Sequence, residues 1–311
     1  MKTVTSQDCL RNALTVDVED YFHVSAFEGV IAPESWDDLP PRVEDNTMRV
    51  LEMLDSHGLT ATFFVLGWVA KRFPDLVRAI QAAGHEIACH GYGHERICFQ
   101  SPSTFRRDVS RAKALLEDIT GQPVLGYRAP SYSITQKTLW ALDILMEEGF
   151  LYDSSIFPIA HDLYGIPGAY PHPHRILRDA GEILEFPPTT LRLSLWGRGL
   201  AVPIAGGGYL RLFPEWFLHW GLEQVNTRDG QPIALYFHPW EIDPDQPRVK
   251  AGWKSSFRHY HNLEKTEGRL RRLFGRMNFA PMGMVLEDLG NLQAVRMEDP
   301  SPAAPSRTGN L

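Results

Sequence analysis

The sequence predicts an α/β fold built on a parallel sheet, a distorted or incomplete (β/α) barrel. Three observations predict it. Strand-like and helix-like segments alternate with short loops through the first half of the chain, the pattern of a parallel sheet with helices outside. Charged or imidazole side chains recur at the C-terminal ends of the apolar strands, the face on which such folds build their sites. A length of 311 residues with 43% hydrophobic content suits one large core.

Leu14 to Val18 reads as a short apolar strand. In residues 44–57, Met48, Leu51 and Leu54 fall on one helical face, and Gly58 follows as a stop. TATFFVLG (60–67) reads as a buried strand. Residues 74–84 open with proline and close with glycine, the polarity of a helix. HEIACH (85–90) is the next strand, 101–121 a capped helix, PVLGYRAP (123–130) a strand, 135–149 a helix and FLYDSS (150–155) a strand. Right-handed crossovers follow by default. Residues 156–182, dense in proline, glycine, histidine and tyrosine, break the rhythm and read as a long loop of the kind that carries function. ILEFPP (183–188) and the segment AVPIAGGGYLRLFP (201–214) read as β-like, 214–226 as helix, and PIALYFHPWE (232–241) as a buried strand. Residues 262–277 read as a helix with Leu263, Leu270, Leu273 and Met277 on one stripe. The organisation expected is a single catalytic domain over residues 1–290. Residues 156–230 and 242–290 are its insertions or extension, and 291–311 a disordered tail.

A formal charge of −7 gives no general attraction to nucleic acid or to an anionic membrane. Three cysteines, Cys9, Cys89 and Cys98, without a C-x-x-C spacing, argue against a disulfide framework and for a reducing compartment. The first twenty residues hold no apolar stretch of signal-peptide length, and nothing approaches the roughly 18 apolar residues of a membrane span. A soluble, cytoplasmic protein is expected.

The chemistry lies at the strand ends. Residues 85–94, HEIACHGYGH, end a strand and then set His90 and His94 about a Gly-Tyr-Gly turn. Glycine permits the tight backbone that brings two rings toward one point. Imidazole is a common ligand for zinc and related ions, and a hydrolytic site needs about three protein ligands plus an open position. The first strand runs into TVDVEDY. In extended chain Asp17 and Glu19 point to one side and Val18 to the other, so both can share the site. The direction of Asp20 is not fixed by this pattern. Arg128, Asp153 and His238 stand at the ends of three further strands. Alone, each has a bland reading: a surface histidine pair, a solvated strand end, a loop-bridging arginine, a turn-capping aspartate, a core histidine. Together they favour catalysis.

In order, the segments TVDVED, HGYGH, RAP (128–130), YDSS and YFHPWE resemble the NodB-homology polysaccharide deacetylases, carbohydrate esterase family 4. The matching segments span residues 15–241. TVDVEDYFHV and FRHYHNLEKTEGRLRRLF further resemble the deacetylases found beside exosortase-linked exopolysaccharide genes. The resemblance implies a distorted (β/α) barrel, a divalent metal, with zinc the expected ion, and removal of N-acetyl groups from amino sugars. The glycan would be a polysaccharide or a lipid-linked oligosaccharide. It makes Asp17 the general base, His90 and His94 metal ligands, and His238 the general acid. The family's first motif has two adjacent aspartates, whereas here Val18 follows Asp17. The third ligand therefore passes to Glu19, with Asp20 as the alternative. Arg128 would pair with Asp17, Asp153 would orient His238, the Tyr132 backbone N–H would hold an oxyanion, and Trp240 would line a sugar site. Two rivals stay open: a hydrolase of cyclic amides on the same fold, and an inactive glycan-binding homologue.

Overall fold

The structure, a computed structural model, describes residues 10–161, 164–195 and 198–299. It opens on β1 (Asn12–Val18), which is buried along its whole length. Residues Leu14, Val16 and Val18 pack outward against the helices, while Ala13 joins a separate cluster inside the barrel. The alternation leaves Thr15 and Asp17 facing inward with Ala13, as the pleat requires.

Four strand–helix repeats follow, and their boundaries have local causes. α1 (Val43–Asp55) is closed by Gly58 at φ +63°. β2 (Thr62–Val65) leads through α2 (Gly67–Arg72) to α3 (Pro74–Ala82), with proline at its first position. β3 (Glu86–Cys89) precedes α4 (Pro102–Thr120). There the Ser101 hydroxyl accepts the Thr104 N–H, and Gly121 at φ +65° ends the helix. β4 (Gly126–Tyr127) and β5 (Tyr152–Asp153) flank α5 (Trp140–Glu147). α5 begins five residues later than its periodicity predicts. The Thr138 hydroxyl takes the Thr135 N–H at 2.8 Å, a local turn that competes with helix.

The second half departs further from expectation. The long loop ends earlier than predicted, in β6 (His174–Arg178), which forms an antiparallel hairpin with β7 (Gly181–Glu185). β8 (Thr190–Leu195) and β9 (Arg198–Pro203) make a separate two-stranded ribbon. The glycine-rich end of the predicted β segment is instead α6 (Gly207–Leu212), because Gly206 and Gly207 at φ +139° and +53° turn the chain away from extended geometry. α7 (Glu215–Thr227) and β10 (Ala234–Phe237) match their predictions. α8 (Trp253–Tyr260), α9 (Leu263–Phe274), β11 (Phe279–Ala280) and α10 (Met282–Asp288) complete the domain. The predicted tail is ordered at its start. β12 (Ala294–Arg296) pairs in parallel with β6; residues 300–311 lie outside the described residues.

The main sheet runs β10-β1-β2-β3-β4-β5-β7-β6-β12, parallel from β10 through β7. The expected incomplete barrel is what forms: among the described residues β7 and β10 share no ladder. Irregular chain bridges them. The Ala234 N–H reaches the Thr189 hydroxyl (2.7 Å), the Ile204 N–H the Thr189 carbonyl (3.2 Å), and the Tyr236 N–H the Ala205 carbonyl (2.8 Å). Ala13, Phe64, Ala88, Phe186 and Ala234 fill the interior, with Met282 and Leu286 of α10 packed against them. Polar residues are thereby left to the opposite, C-terminal end. No helix among the described residues is long and apolar enough to cross a membrane.

One polar pair lies between β5 and β7. Asp153 and Glu185 are register partners, and both are fully buried. Asp153 accepts from the Ser155 N–H and hydroxyl, and one Glu185 oxygen accepts the Ile156 N–H. Burial pushes Asp153 up to about 6 and Glu185 well above the carboxylate range. The pair therefore holds a proton. Acids raised in the folded state contribute fully below their unfolded values and lose that contribution as pH rises. Glu185→Gln removes one such acid. Relative to wild type, the variant should gain stability as pH rises from about 4 to 8, by up to ~1.4 kcal/mol per pH unit per proton. Urea unfolding at stepped pH reads this difference, and a flat difference would mean that no proton is shared.

Candidate active site

The C-terminal ends of β1, β3, β4 and β10 bring Asp17, Glu19, His90, His94, Arg128 and His238 together. All but Arg128 border one pocket of about 180 Å³.

The HGYGH turn is held from behind. The Tyr92 and Gly93 N–H groups donate to the Asp108 carboxylate of α4, at 2.8 and 3.3 Å. The Gly91 and Tyr92 carbonyls accept from Gly67 and Trp68 at the start of α2. A Cβ on Gly67 would sit 2.5 Å from the Tyr92 ring, so only glycine allows this approach. His94 itself takes φ +50°, the left-handed region, which turns its ring back toward His90; the ring centroids are 5.5 Å apart.

The donor set fits a divalent ion. Glu19, His90 and His94 each offer a ligand atom, all within 4.8 Å of one another. His90 Nδ1 is 2.8 Å from the Arg128 carbonyl, which can only accept, so this nitrogen carries the proton and Nε2 keeps its lone pair. Burial pushes His90 down to about 4, so the ring is neutral near pH 7. Glu19 Oε2 is buried without a hydrogen-bond donor. His94 Nε2 lies 3.1 Å from it but is not aligned to bond, an arrangement of two ligands facing a shared point. Burial works against a charged Glu19, but the three surrounding histidines outweigh it and hold the carboxyl far below its usual range.

Asp17 and His238 flank this cluster. Asp17 Oδ1 accepts from Arg128 Nη1 at 2.5 Å, and Oδ2 lies 3.9 Å from His238 Nε2. Arg128 is almost fully buried and also donates to the Thr15 hydroxyl (2.8 Å) and to the Ser154 hydroxyl (2.9 Å) and carbonyl (3.3 Å). His238 Nε2 is 2.9 Å from Glu19 Oε1, and Nδ1 is 2.5 Å from Glu241 Oε1. Burial opposes a charged ring, but Glu19 and Glu241 outweigh it and push His238 up to about 10.

Three expectations need correction. Asp153 does not orient His238; it is committed to Glu185 and Ser155, while Glu241 holds the histidine. Asp20 is not a ligand, because its oxygens accept the Tyr21, Arg42 and Val43 N–H groups and cap the start of α1. The Tyr132 N–H is given to the Ala129 carbonyl at 3.0 Å and so is not aimed at the pocket. Trp240 borders the pocket, and its ring also stacks on His238 (5.2 Å) and His259 (4.2 Å), holding the histidine's plane.

Sequence reasoning passed over three contributors. Glu241 was legible, since it stands three positions after His238 across a single turn of 3₁₀ helix. Arg211, buried in α6, donates to Glu241 Oε2 at 2.8 Å and to the His259 carbonyl at 2.7 Å. No local pattern announces a pair so distant in the chain. His23 packs its ring among Trp36, Trp68 and His94, its Nδ1 accepting the Asp20 N–H at 2.8 Å.

Residues 34–145 match the polysaccharide deacetylase family model, and residues 154–287 match a domain of unknown function, DUF3473. The first match contains His90, His94 and Arg128, the second Arg211, His238 and Glu241; Asp17 and Glu19 precede both. A peptidoglycan deacetylase-like protein of Gibberella zeae is 34% identical over 125 residues, 40% of this chain and 36% of that protein. A peptidoglycan-N-acetylglucosamine deacetylase of Bacillus cereus is 31% identical over 98 residues, 31% of this chain and 36% of that protein. A chitooligosaccharide deacetylase of Sinorhizobium fredii is 39% identical over 95 residues, 30% of this chain and 41% of that protein. The chain thus spans well under two thirds of these relatives' lengths. Among solved structures, a Mycobacterium smegmatis protein assigned as a polysaccharide deacetylase superposes with a TM-score of 0.62 at 22% identity, over 93% of this chain and 94% of that one. An allantoinase superposes at 0.56 with 15% identity, over 88% of each chain. At such identities these two speak for the fold alone. Through the matched family model and the deacetylase relatives, residues 34–145 form a polysaccharide deacetylase domain of NodB-homology type.

Proposed function

We propose that the protein is a metal-dependent hydrolase that removes N-acetyl groups from amino sugars of a polysaccharide or its precursor. One observation carries the reading: Glu19, His90 and His94 converge in one pocket that Asp17 and His238 also border. The named activities of the Bacillus cereus and Sinorhizobium fredii relatives support it.

Glu19, His90 and His94 would hold the ion, and two imidazoles with one carboxylate suit zinc. When bound, such an ion supplies Lewis acidity, which polarises a carbonyl and makes water a stronger acid. Asp17 is the general base. Arg128 occupies its Oδ1, so Oδ2 is the oxygen left to take a proton. His238 is the general acid, giving its Nε2 proton to the departing amine. Glu241 keeps the Nδ1 proton in place, and Arg211 keeps Glu241 ionised. Burial favours a neutral Glu241, but Arg211 and His238 outweigh it and hold the carboxyl low. The products are free acetate and a glucosamine-type amine.

The N-acetylated substrate is either polymeric or lipid-linked. The DUF3473 match is compatible with the exopolysaccharide-linked subgroup that the sequence resembles. Cys89 and Cys98, both free, suit a reducing, cytoplasmic setting.

Three measurements test this reading. Acetate should be released from N-acetylglucosamine oligomers, and chelation should abolish the release. Ring opening of a cyclic ureide without acetate release would instead move the protein to the cyclic-amide hydrolases. Replacing His90 and His94 together by alanine should remove the metal seen by elemental analysis. Asp17→Asn should keep the metal and lose ~10²–10⁴-fold in kcat. Glu241→Gln, with metal retained, should lower kcat roughly ten- to hundredfold with little change in KM, because His238 loses its orienting partner. Full turnover by either variant would remove that residue from its role.

A further inference from the structure

The pocket holding Glu19, His90 and His94 measures about 180 Å³, below the ~300–1,000 Å³ of ordinary small-ligand sites. It can take the reacting end of one sugar and little more. A second cavity of about 500 Å³ adjoins it, and Ser25, Tyr164 and Tyr236 border both.

The second cavity's far wall comes from α6 and α8: Tyr209, Leu212, Phe257 and Arg258. Leu212 and Phe257 are 50% and 51% exposed. Their apolar faces are therefore not used up by the core. The Tyr164 and Tyr209 hydroxyls pair at 3.2 Å, making a rigid aromatic corner beside them. Flat aromatic faces with polar tips suit sugar rings, which are apolar on their C–H faces and polar at their edges. The charge is also distinctive. The protein carries a net −7, yet among the described residues no aspartate or glutamate borders this cavity. Arg258 lines it, exposed, and no described carboxylate pairs with it. Several neighbouring arginines are engaged: Arg211 with Glu241, Arg271 with Glu267 and Arg272 with Glu215.

Building on the deacetylase reading, we propose that this second cavity is a subsite for the sugar units that flank the acetylated one. We further propose that Arg258 selects a unit bearing an anionic group, a uronate carboxylate or a phosphoryl group. Apart from Ser25 and Ala26, the residues that line the subsite lie in the DUF3473-matching segment, so it marks what that segment adds to the barrel.

The test uses the full chain loaded with metal. Substrates are N-acetylglucosamine, its neutral trimer and pentamer, and pentamers carrying either one uronate or one terminal phosphate. From monomer to neutral pentamer, kcat/KM should rise about tenfold or more, the equivalent of one or two stacking contacts. Phe257→Ala should remove most of that rise and spare monomer turnover. Arg258→Gln should remove only the preference for a charged pentamer, and whichever pentamer wild type prefers identifies the anion. Equal use of monomer and pentamer by wild type, or an equal loss on every substrate in Phe257→Ala, overturns the subsite. Equal use of charged and neutral pentamers overturns the role of Arg258. Calorimetric binding of the same oligomers to Asp17→Asn separates the two readings. Length-dependent binding that Phe257→Ala abolishes, without acetate release by wild type, would sink the hydrolase and leave the subsite standing.

Discussion

One buried guanidinium organises this protein's site. Arg128 enters from β4, donates to Thr15 and Asp17 of β1, and reaches Ser154 just beyond β5. Its own carbonyl fixes the tautomer of His90. Its charge lies 4.1 Å over the Phe64 ring inside the barrel. Burying such a charge costs several kcal/mol unless it is paired and hydrogen-bonded. Here all three guanidinium nitrogens donate hydrogen bonds, and Arg128 thereby ties the Asp17 carboxylate to the strand whose carbonyl holds the His90 ring. The demand for satisfaction in a low-dielectric interior thus doubles as a positioning device.

The second organising feature is a line of alternating charge. Arg211, Glu241, His238 and Glu19 follow one another at 2.8, 2.5 and 2.9 Å. Each member compensates the next, and all but the partly exposed His238 are buried. This line joins the end of the first strand, which precedes both matched segments and supplies Glu19, to the DUF3473-matching part, which supplies the other three. The hydrogen-bonded seam between β1 and β10 makes that crossing possible. Two sequence families therefore share one sheet and one pocket.

Much of this was legible beforehand, for reasons that can be named. Period-two alternation in TVDVED correctly turned Asp17 and Glu19 the same way. Glycines around Tyr92 correctly announced a tight turn bearing two imidazoles. Asp20 and Asp153 misled because a carboxylate at a strand end has several uses. Asp20 had a helix start within reach, and Asp153 had a register partner in β7, a strand not yet placed beside it. The helix at 207–212 was hidden by its run of glycines, whose positive φ values turn the chain without any apolar period to mark it. Arg211 and the β12 pairing depend on contacts between distant segments, which no local window contains.

The β1–β10 seam also has a temporal meaning. Thr15 and Leu235 are 220 positions apart, yet their hydrogen bond lies beside the reacting groups. Closing so long a loop is slow, whereas β1 meets β2 across a much shorter stretch. During synthesis Glu19, His90 and His94 can come together from early residues, but His238 emerges from the ribosome far later. The pocket lacks one wall until β10 docks against β1.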